Sequence, residues 1–517
     1  MAKQLESYVE GRWVQGSGEG TPIINPTTEE MIAETSTAGI DFEAALQHAR
    51  QGGAALRQMT FAERGTLLGD LAKAIHEYRA ELLQLSTDSG GNTRSDAKFD
   101  IDGATGTMAF YGALGKKLGD RRVLADGDME QLTRAPRYVG QHVYVPRRGA
   151  AVHINAFNFP AWGMGEKLAV STLAGMPAVI KPATSTLPVA IRMVEIMVDS
   201  GLLPAGMLTL ISGSCGNLVD LLGEQDVLAF TGSADTGNLL RGKPNIVENS
   251  VRVNVEADSL NSAVLGPDVD GDSETFGLFL REVVRDMTQK AGQKCTAIRR
   301  IFVPDAMRDI VVEALGDQLG GMKVGDPNLR EVRIGPVATA AQLEDVTAGI
   351  DQLAACAKIV HGDGGRGEVV GVEGDKGFFV APTLLVASQP AAATAVHNRE
   401  VFGPVATVMG YGSDVDEACA LVAQGRGSLV SSIYSDDRVF VEAAVLGMAP
   451  YHGRLTVGDA RVAEHSPGPG TVLPSMVHGG PGRAGGGEEL GGVRGLGFYS
   501  QRTAVQGLKP LLEKILF

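Results

Sequence analysis

One stretch of this chain combines a thiol with a turn that can present it: Gln289-Lys290-Ala291-Gly292-Gln293-Lys294-Cys295-Thr296-Ala297. A thiol acts as a nucleophile in its thiolate form, and positive neighbours favour that form, so Lys290 and Lys294 are expected to make the surroundings of Cys295 electropositive. Gly292 allows a tight backbone turn. Taken singly, a free cysteine is more often a small buried hydrophobe. Cys356 and Cys419 sit inside helical patterns and read as packing residues, whereas Cys215, in Ser212-Gly-Ser-Cys-Gly, is the rival nucleophile.

Other candidates stand at the ends of apolar runs. Phe230-Thr-Gly-Ser-Ala-Asp-Thr-Gly237 puts Gly232 and Ser233 at a strand-to-helix turn, where backbone N–H groups and a helix N-terminus can receive a phosphate. It lacks the Gly-x-Gly-x-x-Gly fingerprint, so a plain tight turn is an equal reading. Lys181 ends Val179-Ile-Lys and in isolation reads as a solvated lysine. Glu256 ends Val251-Arg-Val-Asn-Val-Glu and in isolation reads as a surface carboxylate. Asn158, in Asn155-Ala-Phe-Asn-Phe-Pro-Ala-Trp, reads as a turn residue ahead of a helix started at Pro160.

The elements that must position these residues follow from hydrophobic period. Phe276, Phe279, Leu280, Val283, Val284 and Met287 recur at helical spacing, predicting a helix over 274–289 that leads into the cysteine loop, and Arg299–Val303 reads as the strand that leaves it. Between 150 and 256, strands at 150–155, 178–181, 207–211, 227–231 and 251–256 alternate with helices at 162–174, 188–200, 216–222 and 234–242. Strands alternating with helices through short links predict a parallel, doubly wound sheet with its ligand crevice at the carboxyl ends of the strands. A second α/β unit runs from 262 to 457. Near the N-terminus, Tyr8–Val14 reads as a short strand, Ile23-Ile-Asn-Pro as a turn, Asp41 as the cap of a helix to Arg57, and 61–88 and 96–118 as further helices. Residues 121–147 alternate like an extended arm. The Gly/Pro-rich segment 466–497 has linker composition, yet the apolar tail after it, 505–517, needs something to pack against.

Length and charge exclude some classes. At 517 residues the chain has room for two or three domains. Its formal charge of −15 argues against nucleic acid or an anionic membrane as the main partner. Four cysteines without paired spacing give neither a disulfide framework nor a zinc site, and no metal is expected. The N-terminus has no apolar run and no segment supplies a membrane span, so the cytoplasm is the expected location.

In order along the chain, Phe157-Asn-Phe-Pro-Ala, Ile180-Lys-Pro-Ala, Phe230-Thr-Gly-Ser, Glu256, Gly292-Gln-Lys-Cys-Thr and Glu400-Val-Phe-Gly-Pro resemble the aldehyde dehydrogenase superfamily over nearly the whole sequence. The resemblance implies an α/β fold with a Rossmann-like cofactor domain (1–120 and 148–261), a catalytic domain (262–477) and an oligomerisation arm (121–147 and 498–517), assembled as a dimer or larger. It implies Cys295 as nucleophile, Glu256 as general base, and Asn158 with the Cys295 N–H holding the oxyanion. Lys181 and Glu400 would bind cofactor ribose hydroxyls, Gly232 and Ser233 would lie by the pyrophosphate, and Phe157 and Phe402 would flank the cofactor. The sequence departs from the common pattern at Ala257-Asp-Ser-Leu-Asn261, at Thr184 and in the block His478-Gly-Gly-Pro-Gly-Arg483. Many NAD-dependent members carry a glutamate where Thr184 stands. A glutamate there would repel the 2′-phosphate of NADP, so NADP is the expected cofactor, with NAD as the alternative. These departures resemble a smaller branch, the dehydrogenases of aerobic aromatic-CoA catabolism, and the absence of a fused hydratase domain points to the stand-alone members of benzoate degradation. The implied substrate is a CoA-linked semialdehyde, with glycine-rich backbone at 479–487 shaping a wide entrance and Arg483 meeting a phosphate. The presence of Glu256 implies hydrolysis to a carboxylic acid and not acylation of coenzyme A. Oxidation of small free aldehydes, a cofactor-binding protein without turnover, and a structural role for an inactive fold are the alternatives.

Overall fold

The computed structural model describes residues 3–516. Its first sheet has seven strands in the spatial order Arg252–Glu256, Val227–Thr231, Ala151–Ile154, Ala178–Lys181, Leu208–Leu210, Ser7–Val9 and Arg12–Val14. The first five are mutually parallel, as the alternation of strands and helices predicts. The last two form an antiparallel hairpin added at the edge, where the sequence reading placed a single strand. Chain order reverses on either side of Ala151–Ile154, which is flanked by both Val227–Thr231 and Ala178–Lys181. That reversal opens a crevice at the carboxyl ends of the strands. Asn158, Lys181, Gly232 and Glu256 all follow or end those strands, so topology alone gathers them at one rim.

The second sheet also has seven strands, ordered Lys358–His361, Thr383–Ala387, Val405–Tyr411, Arg300–Pro304, Ser262–Leu265, Ser428–Tyr434 and His452–Gly458. All are parallel except the first, which pairs antiparallel with its neighbour. Helix Glu274–Thr288 is capped by the Ser273 side chain and buries Phe276, Phe279, Leu280, Val283, Val284 and Met287, the apolar stripe read from the sequence. A third, three-stranded antiparallel sheet joins Leu124–Gln131, Tyr138–Pro146 and Ser500–Leu508, so the tail after the glycine-rich segment packs on the arm at 121–147.

Several local expectations change. Ile23 and Ile24 end a strand, Thr21–Ile24, that pairs with Met31–Thr35, and the turn follows them. Residues 216–222 form only the single 3-10 turn Leu218–Leu221. The helix after Asn158 starts at Trp162, and its first N–H groups are capped from a distance by Asp100, which accepts from Ala161 and Trp162. The strands Lys358–His361 and Thr383–Ala387 had no assignment from the sequence.

The glycine-rich segment is not a flexible linker. It forms an antiparallel ribbon, Val477–Gly479 with Glu488–Leu490, wedged between the two large sheets. A Cβ on Gly453 would collide with the Gly479 carbonyl, and one on Gly485 with the Val255 carbonyl. Here glycine is required by backbone-to-backbone approach, a use that composition cannot separate from flexibility.

Candidate active site

Cys295 sits where the helix of the second unit turns back into its sheet, facing the rim of the first. Three successive residues, Lys290, Ala291 and Gly292, take left-handed backbone conformations (φ +56°, +52° and +70°). Two of them are not glycine, and such conformations persist only where the surroundings enforce them. Gly292 is enforced doubly, since a Cβ there would strike the carbonyl of Gly403. Asn261 holds the far side of the loop, its amide donating to the carbonyls of Cys295 and Ala297, both at 2.8 Å.

The thiol opens onto two cavities that meet at Ala156, Asn158, Thr231, Glu256 and Cys295. One is a narrow aromatic-lined tunnel walled by Phe99, Phe159, Trp162 and Val472. Phe159 and Phe99 each meet Trp162 edge to face. The other is a wider cleft lined by Phe157, Gly232, Ser233, Glu400 and Phe402. Of the residues singled out in the sequence, Cys295, Glu256, Asn158, Phe157, Gly232, Ser233, Glu400 and Phe402 line these cavities. Lys181 and Thr184 are not among the lining residues; Lys181 lies at its strand end, near Cys215.

Asn158 donates one amide N–H to the Gln293 carbonyl at 3.1 Å, which fixes its side chain beside the cysteine loop. Glu256 is buried, and its Oε1 lies 3.1 Å from His478 Nε2. That same nitrogen lies 3.9 Å from Cys295 Sγ. Burial is the largest influence on Glu256 and acts to raise its carboxyl pKa, but His478, Lys167 and the Cys295 hydrogen bond together outweigh it, and the net shift is downward. For His478, burial is again the largest influence and opposes protonation, Glu256 and Glu166 together favour it more, and the net shift is upward. For Cys295, burial first and the Glu256 carboxylate second push the thiol well above its ordinary value.

The expected lysine field around the thiol is therefore absent. Lys290 Nζ donates to Asn92 Oδ1 at 2.9 Å, near Asp96 and Asp100 and over the Phe159 ring. Lys294 Nζ is held by Asp286 at 2.8 Å and Gln289 at 2.9 Å. Both ammonium groups are neutralised in buried networks that brace the loop.

A second buried charge cluster lies behind Glu256. Lys167 Nζ is 3.3 Å from Glu166 and 3.0 Å from Glu489, and oxygens of Glu166, Glu256 and Glu489 lie within 4.8 Å of one another. Burial pushes the Glu166 carboxyl up to about 7 against the pull of Lys167. Neither Glu166 nor Lys167 carried a signal in the sequence, because helix 162–174 is apolar around them.

In the wider cleft Phe157 and Phe402 meet edge to face at 6.0 Å. Burial raises Glu400 to about 7; its Oε2 accepts from the Ser259 N–H at 3.1 Å, while its buried Oε1 makes no hydrogen bond and lies 3.7 Å from Arg299 Nε. A carboxylate oxygen without a hydrogen-bond donor, lining the same cleft as a glycine-serine turn, can accept from a ribose hydroxyl while the turn receives a diphosphate, so these residues fit a dinucleotide. The Gly232–Ser233 turn leads into helix Ala234–Arg241, which Ser233 caps and whose Ala234 N–H also donates to Asp258. The Arg483 guanidinium donates to the carbonyls of His397 and Asn398, and every glycine of 479–487 except Gly486 packs closely against other backbone. Ala257-Asp-Ser-Leu-Asn261 explains itself in the same way, since Asp258, Ser259 and Asn261 hold the helix start, Glu400 and the cysteine loop.

A cysteine at the meeting point of a tunnel and a dinucleotide-sized cleft, on two parallel sheets, is an arrangement for oxidising a carbonyl held in thiol linkage, and the chain belongs to the aldehyde dehydrogenase family, whose sequence pattern matches residues 13–505. It is 44% identical over 479 residues to the 3,4-dehydroadipyl-CoA semialdehyde dehydrogenase of Aromatoleum evansii, covering 92% of this chain and 93% of that one. Betaine aldehyde dehydrogenase of Staphylococcus aureus in complex with NAD+ superposes with a TM-score of 0.84 at 26% identity, over 97% of this chain and 95% of that one. A point mutant of that enzyme, also with NAD+, gives 0.85 at 25% identity, covering 97% of each chain.

Proposed function

We propose that this aldehyde dehydrogenase oxidises a CoA-linked semialdehyde, 3,4-dehydroadipyl-CoA semialdehyde, to the carboxylic acid, with NADP as the preferred oxidant, in cytoplasmic breakdown of aromatic acids. The observation that carries the chemistry is the meeting of Cys295, Glu256 and Asn158 at the junction of the two cavities. The substrate rests on the 44% identity to the Aromatoleum evansii enzyme, and an aromatic tunnel suits an unsaturated acyl chain better than a highly charged small aldehyde.

Cys295 attacks the aldehyde carbon from the tunnel side. The second N–H of the Asn158 amide, with the Cys295 backbone N–H, holds the oxygen as it gains charge, the stabilisation that preorganised donors supply best. A nicotinamide cofactor held in the wider cleft would supply the hydride acceptor for this oxidation. The acyl group is then a thioester on Cys295, and Glu256 activates water against it. The proton that Glu256 acquires has an outlet through the adjoining Glu166, Lys167 and Glu489. Glu400 would bind a ribose hydroxyl of the cofactor, Phe157 and Phe402 would flank it, and Gly232 and Ser233 would receive the diphosphate. Lys181 and Thr184 serve the adenosine end, where Thr184 supplies a hydroxyl in place of a carboxylate. Residues 1–120 with 148–261 act as the cofactor domain and 262–477 as the catalytic domain. The arm at 121–147 and 498–517 exposes Tyr138, Val145, Leu508, Leu511 and Ile515, apolar surface that a second copy would cover in a dimer.

The test is a panel of semialdehydes of equal chain length, free and thioester-linked, assayed by reduction of NADP and NAD. Binding energy from a remote carrier raises efficiency only if the carrier is part of the recognised substrate. Higher kcat/KM for the linked aldehydes and for NADP supports the proposal. Equal or better turnover of the free aldehydes removes the pathway assignment, and higher kcat/KM with NAD removes the cofactor preference.

A further inference from the structure

Cys295 is a half-buried thiol beside a carboxylate, and both its desolvation and that neighbour oppose a thiolate. The lysines of its own loop are turned away. The basic side chain that does touch it comes from the block that departs most from the family pattern: His478, on the ribbon strand Val477–Gly479. One nitrogen, Nε2, faces both the sulfur at 3.9 Å and Glu256 Oε1 at 3.1 Å, and the three ligand atoms lie within 4.8 Å of one another.

Taking Cys295 as the nucleophile, we propose that His478 is a catalytic residue, an imidazolium whose Nε2–H is shared between Glu256 and Cys295 and stabilises whichever carries the negative charge. In the attack the S–H proton passes to the Glu256 carboxylate, a sulfur lone pair forms the bond to the aldehyde carbon, and the carbonyl π pair moves onto oxygen. Negative charge thus leaves Glu256, appears on sulfur and ends on the oxyanion, with no proton taken from solvent. A cation in contact with both donor and acceptor keeps that transfer close to balanced, because the attraction lost at oxygen is regained at sulfur. The arrangement combines a nucleophile, a base and a third group that fixes their charge. The charged groups facing His478 are Glu256 from the first sheet, Cys295 from its loop, Glu166 from helix Trp162–Ala174 and Arg454 from the second sheet. The carboxylates favour its protonation and Arg454 opposes it.

The test is the rate of Cys295 alkylation by iodoacetamide against pH in the cofactor-free enzyme, with the labelled peptide identified by mass, for wild type, His478→Gln and His478→Phe. A shift of one pKa unit is a tenfold change in thiolate fraction, so both variants are expected to react at least about tenfold more slowly at neutral pH, with the rate limb moved to the alkaline side. Retained NADP affinity shows that each variant is folded. Wild-type rates and profile in His478→Phe overturn the proposal. So does restoration of wild-type behaviour by His478→Gln, which keeps the hydrogen bond but lacks the charge. If the label falls on another cysteine, or Cys295→Ala turns over, the nucleophile assignment itself fails, a result distinct from failure at His478.

Discussion

Asn261→Ala removes a residue that touches neither cavity, yet it is expected to be among the most damaging substitutions near the site. Its amide donates to Cys295 O and Ala297 O at 2.8 Å each, and its Oδ1 accepts from Val430 N at 3.1 Å and from the Ser259 hydroxyl. At about 1 kcal/mol net for each buried hydrogen bond, four lost bonds come to about 4 kcal/mol. The larger consequence is positional. The thiol stands on a loop with strained backbone on its near side, and Asn261 is the clamp on its far side. A displacement of about 1 Å in a reacting group costs on the order of 100-fold in rate. The variant is therefore expected to lose about 100-fold in kcat/KM, to unfold at lower urea, and to bind NADP as the wild type does, because the cleft residues are untouched. Asn261→Asp should be no better, since it places a carboxylate oxygen against two carbonyls. Steady-state kinetics, urea denaturation and cofactor titration on the same preparations decide the matter. A kcat/KM within about threefold of wild type would refute the clamp, whatever the stability.

Four further outcomes follow. Cys295→Ala should abolish aldehyde-dependent reduction of the nicotinamide cofactor while leaving its binding intact, and Cys215→Ala should keep turnover; the reverse pattern would move the nucleophile to Cys215. Glu256→Gln should slow both the attack on the aldehyde and the hydrolysis of the thioester, so that no burst of cofactor reduction precedes the slow turnover, and the wild-type product should be the free acid; a new coenzyme A thioester as main product would rule out hydrolysis. The Glu256–His478 pair should stabilise the fold within a defined pH window: the lowered Glu256 contributes above its ordinary 4.5 and loses this as pH falls, while the raised His478 contributes fully below 6.5 and loses this as pH rises. The stability difference between wild type and His478→Gln should thus be largest between roughly pH 4.5 and 6.5, and a difference that does not vary with pH would show the pair to be uncharged. Finally, Leu511→Glu with Ile515→Glu should shift the enzyme toward monomer in light scattering, and an unchanged mass would remove the arm from the interface.

Where a residue's neighbours along the chain determine its setting, the sequence was informative. Helix 274–288, the strands of the parallel sheet and the gathering of Asn158, Gly232 and Glu256 at one rim all follow from local period and the rule for strand ends. What remained hidden depends on distant partners. Lys290 and Lys294 read as a positive field because nothing nearby in sequence reveals Asp96, Asp100 and Asp286 waiting for them. Lys167 and Glu166 sit in an apolar helix and find Glu489 more than 300 residues away. The glycines at 479–487 resemble a linker because close backbone packing and freedom of rotation select the same residue. Lys358–His361 and Thr383–Ala387 are short strands at one side of a sheet, defined by pairing more than by pattern.

The ribbon of Val477–Gly479 and Glu488–Leu490 also acts as a ruler. His478 pairs in register with Glu489, so two opposed residues on one face carry the two polar centres of the active site, one to the thiol and the other to Lys167. Their separation is set by the spacing of two strands and not by any side-chain rotamer. A one-residue insertion in the turn that shifts this register would leave both groups intact and turn one of them to the opposite face. A tag, cleavage site or spacer placed in this segment on the strength of its composition would therefore detune the chemistry at both ends at once, and limited proteolysis should pass over it in favour of genuine surface loops.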